Sequence, residues 1–236
     1  MLTSANTFLA SANCAEFVGA TADFADIDAG TYNVTAETLE RAWQPDVRAV
    51  IPVDFAGRAC EMPAIAELAR SRGALVIEDA SHAIGSECHG QRVGGHPWSD
   101  MTTFSFHPVK TITSGEGGAI VTNRDDLAQR CRTFRNHGMK KRDEGGNLKP
   151  EIGPWFYEME EVGYNYRITD LQCALGLSQL KKLDRFVARR VEIVAAYNAA
   201  FRTQVSGFRP PPFRTAWHLY VLEIDFARLG KTRAQG

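Results

Sequence analysis

Apolar and polar residues alternate through Ala22-Asp-Phe-Ala-Asp26, the period of a short strand with one buried face. Thr35 precedes Glu37, Leu39, Glu40 and Trp43, a polar cap followed by helical spacing, and predicts a helix of about two or three turns. The run Arg48-Ala-Val-Ile-Pro-Val-Asp54 predicts a buried strand. Pro52 cannot donate to a ladder, so that end should lie at an edge or a bulge. From 62 to 72, Ile65, Leu68 and Ala69 fall at helical spacing, and Gly73 signals the helix end. Ala74-Leu-Val-Ile77 is an apolar strand running into Glu78-Asp79. Strands over 101–106 and 118–122 and a helix over 125–134 complete the first half.

The segment 136–163 is long, glycine-containing and aromatic, a loop of functional length. Thr169 opens the longest helical pattern. Leu171, Ala174, Leu175, Leu177, Leu180 and Leu183 form its apolar stripe, with Lys181, Lys182 and Asp184 outside. A second helix is predicted over 186–201, then Pro210-Pro-Pro212 and a last strand over 218–224. Strand–helix–strand alternation implies parallel strands with helical crossovers, an α/β architecture. Ligands in such sheets collect beyond the carboxyl ends of the strands, where Asp79 sits. The sequence shows no internal repeat and no low-complexity segment.

Composition narrows the classes. The 236 residues suffice for one large domain or two small ones, and the formal net charge of −1 is dispersed. No basic stripe points to nucleic acid. The cluster Met139-Lys-Lys-Arg142 is short and reads as a solvated loop. Five scattered cysteines without paired spacing fit reduced thiols in a cytoplasmic protein. No membrane-spanning run and no signal-peptide layout is present in the sequence.

The candidate chemistry lies in the order of a few residues. A pyridoxal phosphate enzyme needs a lysine for the imine, an acid facing the pyridine nitrogen and donors for the phosphate. Asp79 ends an apolar strand. Ser105 ends another, and Lys110 follows five residues later, before the turn Thr113-Ser-Gly-Glu-Gly-Gly118. A lysine in such a partly desolvated loop loses basicity, as attack on an aldehyde requires.

Together Glu78-Asp-Ala-Ser-His82, Phe104-Ser-Phe-His-Pro-Val-Lys110, Gly115-Glu-Gly-Gly118 and Gly163-Tyr-Asn-Tyr-Arg167 resemble the DegT/DnrJ-type nucleotide-sugar aminotransferases. Ser81-His-Ala-Ile-Gly-Ser86, Asn136-His-Gly-Met139 and Ala174-Leu-Gly-Leu-Ser-Gln-Leu-Lys-Lys182 are most similar to the pseudaminic acid branch of that family. The resemblance implies a fold-type I aminotransferase large domain, a mixed and mostly parallel sheet with flanking helices. It implies a cytoplasmic homodimer that moves an amino group from an amino acid, glutamate, to the C4 ketone of a UDP-linked 4-keto-6-deoxy sugar. Lys110 then looks like the residue that carries pyridoxal 5'-phosphate and shuttles the proton. Asp79 looks like the partner of the pyridinium nitrogen. His82 stands near the ring hydroxyl, and Ser105 matches the phosphate serine. Phe8, in Thr7-Phe-Leu-Ala-Ser11, matches the aromatic that stacks on the cofactor ring. Asn165 matches the residue that reaches the neighbour's cofactor phosphate. Relatives carry an upstream Gly-Thr-type turn and a longer C-terminal domain, so the resemblance also implies a chain cut at both ends. Residues 1–168 would be the cofactor-binding large domain without its N-terminal segment. Residues 169–236 would hold a long helix, a connecting helix and the start of the small domain.

Other readings have less to stand on. Gly115-Glu-Gly-Gly118 precedes a strand and lacks dinucleotide-loop spacing. Asp79, Ser81 and His82 lack a nucleophile elbow. Cys88, His89 and His96 have no second pair to complete a metal site. Two alternatives share the fold: a pyridoxamine-dependent sugar dehydratase, some of which replace the lysine by histidine, and a non-catalytic remnant.

Overall fold

The computed structural model describes residues 1–141, 155–201, 214–224, 226, 230–232 and 234. Its first half runs β1 (Leu2–Ser4), α1 (Ala10–Glu16), β2 (Asp23–Ala25), α2 (Ala36–Ala42), β3 (Ala49–Ile51), α3 (Met62–Ser71) and β4 (Leu75–Asp79). Then come β5 (Glu87–Cys88), β6 (Gln91–Arg92), β7 (Met101–Ser105), β8 (Gly118–Val121) and α4 (Asp125–Phe134). The short strands β9 (Met139–Lys141) and β10 (Tyr157–Met159) precede α5 (Asp170–Leu180) and α6 (Leu183–Phe201).

Six strands form the main sheet in the order β2-β1-β3-β4-β7-β8. All neighbours are parallel except β7 and β8. The chain leaves β1 toward β2 on one side and returns to β3 on the other. The carboxyl ends of β1 and β3 therefore flank a switch point, the place where α/β sheets bind ligands. Leu2, Val50 and Val76 from the strands pack with Leu39 of α2 and Met62, Ile65 and Ala69 of α3 in one buried cluster. Apolar spacing thus fixes which face of each helix meets the sheet.

Local signals explain several boundaries. Thr35 accepts from the Thr38 amide and Thr38 returns a bond to the Thr35 amide, a capping box that starts α2. Thr169 and Gln172 do the same for α5. Gly73 follows α3 at φ +69°, the left-handed end that glycine permits.

The structure corrects four expectations. β3 is a central strand, so Pro52 lies at neither an edge nor a bulge. The ladder stops at Ile51, and the Pro52 carbonyl accepts from the Asp79 amide instead. The segment 136–163 is not plain loop, because β9 and β10 pair antiparallel within it. The longest helix is α6, and Leu183 belongs to it rather than to α5. Residues 218–224 form no strand, and the His218 and Leu219 amides both donate to the Ala56 carbonyl rather than to a ladder. Arg142, Pro210-Pro-Pro212 and Arg233 lie outside the described residues.

Candidate active site at the strand ends

Asp79 closes β4, the strand next to the β1–β3 switch point. Its Oδ2 accepts from Ser11 Oγ at 2.6 Å and its Oδ1 from the Ser81 amide at 3.1 Å. Thr7 Oγ1 in turn donates to Ser11 Oγ at 2.9 Å. The first turn of α1 is thus tied to the acid, fixing its two oxygens. The Asp79 carbonyl accepts from Asp54 and its amide donates to Pro52, so β3 holds the same residue from below.

Lys110 sits in the turn after β7, its amide donating to the His107 carbonyl at 2.9 Å. Burial lowers its basicity, and the charge of nearby Asp79 opposes that shift. Asp79 ends the strand beside the one whose following turn carries Lys110, for Asp79 pairs with Thr103 across β4 and β7. His82 completes the group. Burial and the Lys110 charge press its imidazole down to about 4, with Asp79 acting the other way. Its Nδ1 is buried and has no hydrogen-bond partner among the described residues.

The remaining predicted residues are less gathered. Ser105 ends β7 opposite Gly118, and its hydroxyl accepts from the His107 amide at 3.4 Å. Phe8 is 76% exposed at the entry to α1, close to the Ser11 anchor through its carbonyl. Asn165 is exposed and bridges Asn136, apart from the Lys110 group. Its segment is held by α4: Tyr164 donates to the Phe134 carbonyl, and Tyr166 to that of Arg135. A Cβ on Gly138 would run into the Glu161 carbonyl, and one on Gly163 into the Gly138 amide.

Three neighbours escaped the sequence reading. Ser11 stood inside the motif quoted for Phe8 but was given no role. His218, expected to open a strand, instead sets its ring 4.3 Å from that of His82. Arg190 of α6 donates to the carbonyls of Trp217 and His218. A cavity of about 500 Å³ adjoins this corner, lined in part by Thr111, Phe186, Tyr197, Trp217, His218 and Tyr220.

These side chains fit pyridoxal phosphate. Lys110 offers the amine and Asp79 an anchored acid. His82 presents a buried nitrogen still open to a bond, and Ser105 a hydroxyl at the turn. A second buried acid, Glu78, faces away from this cluster and bonds His96 at 3.0 Å and Thr102 at 2.7 Å. Asp54 is pushed well above the usual carboxylate range by burial and then by the Glu78 charge.

Comparison with known proteins agrees with the geometry. Residues 1–235 match the profile of the DegT/DnrJ/EryC1/StrS aminotransferase family. The spore coat polysaccharide biosynthesis protein SpsC of Bacillus subtilis is 41% identical over 239 residues, covering 100% of this chain and 60% of SpsC. UDP-4-amino-4,6-dideoxy-N-acetyl-beta-L-altrosamine transaminase of Campylobacter jejuni is 41% identical over 204 residues, 85% of this chain and 51% of that protein. Among solved structures, Helicobacter pylori PseC, an aminotransferase of pseudoaminic acid biosynthesis, superposes with a TM-score of 0.83 at 31% identity. That match covers 97% of this chain and 60% of PseC. The chain therefore spans between half and two thirds of these proteins' lengths.

Proposed function

Because the chain belongs to the DegT/DnrJ/EryC1/StrS aminotransferase family, we propose that it serves amino transfer to a nucleotide sugar through pyridoxal 5'-phosphate. The donor is an amino acid, glutamate, and the acceptor is the C4 ketone of a UDP-linked 4-keto-6-deoxy sugar in surface-glycan biosynthesis. The observation that carries the reading is the approach of Lys110, its ammonium weakened by burial, to Asp79 at the strand ends. When bound, the cofactor supplies an electron sink for the carbon that loses its proton. The chain's own residues do the rest. Lys110 binds the cofactor and moves the proton at Nζ in both half-reactions. Asp79, fixed by Ser11 and Ser81, faces the ring nitrogen. His82 lies at the ring hydroxyl, Ser105 at the phosphate, and Phe8 against the ring face.

Asn165 acts in the partner's site. The exposed leucines of α5, with Leu171 85% accessible, support a face that a second copy covers. Residues 1–168 make the cofactor-binding unit, and residues 169–236 lead into a smaller one. No helix among the described residues is long and apolar enough to cross a membrane, in keeping with a cytoplasmic enzyme. Lys110 favours transamination over the dehydratase alternative.

Mixing the purified chain with pyridoxal phosphate is expected to give the visible absorbance of lysine-bound cofactor. Lys110→Ala should abolish it. Glutamate followed by the keto sugar should then yield the amino sugar by mass spectrometry. No band in wild type at excess cofactor, or a band that persists in Lys110→Ala, would overturn the reading.

A further inference from the structure

Residues 214–218 form a buried segment sewn to the sheet side of the molecule. The Glu87 amide donates to the Arg214 carbonyl at 2.8 Å. The Ala216 amide donates to Ser86 Oγ at 2.8 Å, and that hydroxyl donates onward to the Gly57 carbonyl at 2.5 Å. The His218 amide donates to the Ala56 carbonyl at 2.9 Å, while Arg190 holds the Trp217 and His218 carbonyls from α6. Thr215, Ala216 and Trp217 are buried. Trp217 adopts φ +49°, a left-handed turn that a bulky residue keeps only where its surroundings enforce it.

Gly57 is what lets the segment pass. It lies at φ +94°, and a Cβ there would stand 3.0 Å from the backbone of His82, Trp217 and His218. So much fixing delivers one side chain. The His218 ring covers that of His82 at 4.3 Å and 33°, with Phe55 near the same imidazole at 6.2 Å. An imidazole left alone turns readily about its ring torsion, and a stacked neighbour removes that freedom and excludes water.

We propose that His218 is a positioning residue, holding His82 in place beside Lys110 and Asp79 without touching the reacting atoms. The role rests on the amino-transfer reading for its purpose, but the contact it describes belongs to the bare chain. Lys110 and Asp79 face His82, and His82, Lys110 and Arg190 face His218. Each ring adds to the burial of the other.

Nuclear magnetic resonance of the histidine ring nitrogens tests this without cofactor. In wild type His82 should stay neutral down to about pH 4. In His218→Ala it should titrate nearer the ordinary value of about 6.5, and in His218→Phe, which keeps a ring in place, it should stay low. A His82 titration unchanged by His218→Ala overturns the proposal. If the alanine variant does not fold, the phenylalanine variant decides, and a raised His82 value there overturns it. Kinetics give the second arm. His218→Ala should cut kcat/KM by about tenfold in the wild-type background and by less than about twofold with His82→Gln, the non-additivity of residues acting through one another. Equal losses in both backgrounds would make His218 an independent contact and overturn the positioning role. A wild-type chain without amino transfer would sink the proposed function while leaving the resonance result to judge the contact.

Discussion

Ser11 anchors an acid from a helix that carries no charge of its own in its first turn. A hydrogen bond to a charged acceptor contributes about 1.5–3 kcal/mol, less where solvent reaches it. Ser11→Ala should therefore lower the urea unfolding free energy by about 1–2 kcal/mol and weaken cofactor retention, measured by dialysis. The stacked histidines set a pH dependence. His82 and His218 are lowered to about 4 and about 3 by burial, while the unfolded chain binds those protons near 6.5. Between these limits the unfolded state holds more protons. Stability is thus fully present above pH 6.5 and is lost as pH falls toward 4 and then 3. Urea midpoints from pH 7 to pH 4 should fall, and His218→Phe should flatten that slope.

Elements are held by caps and by buried polar contacts such as that between Glu78 and His96. Thr35→Ala removes the hydroxyl that accepts from the Thr38 amide in the α2 capping box and should cost about 1 kcal/mol, read as a lower melting temperature. Glu78 and His96 are wholly buried partners joining β4 to the segment before β7. His96→Leu leaves the Glu78 carboxyl without that partner and should cost about 3 kcal/mol in chemical unfolding. The helices α2 and α3 were legible because the cap of α2, the apolar spacing of both and the glycine after α3 are local signals along the chain. The 218–224 segment misled because His218-Leu-Tyr-Val-Leu has strand composition, and composition says nothing of whether a ladder edge is near. Its amides go to Ala56 instead.

For the whole molecule, one exposed apolar feature among the described residues is the set of leucines on α5. Leu171 and Leu177 stay exposed on a helix that buries none of its residues. Under the dimer proposal, Leu171→Glu with Leu177→Glu should convert a dimer to a monomer in sedimentation, without changing the circular dichroism spectrum. A wild-type monomer at high concentration would refute that part of the reading.

The sequence by itself determined the α/β order and the row of Asp79, Ser105 and Lys110, because strand ends and the turns after them are local and carry their chemistry in short motifs. Only the tertiary structure decided that Ser11 would bind Asp79 and that His218 would cover His82. Those contacts join residues far apart along the chain, and their partners are chosen by the switch of strand order, the gap left by Gly57 and the bonds of Arg190. Spacing along a chain encodes neighbours within an element, whereas burial between elements depends on every layer packing at once.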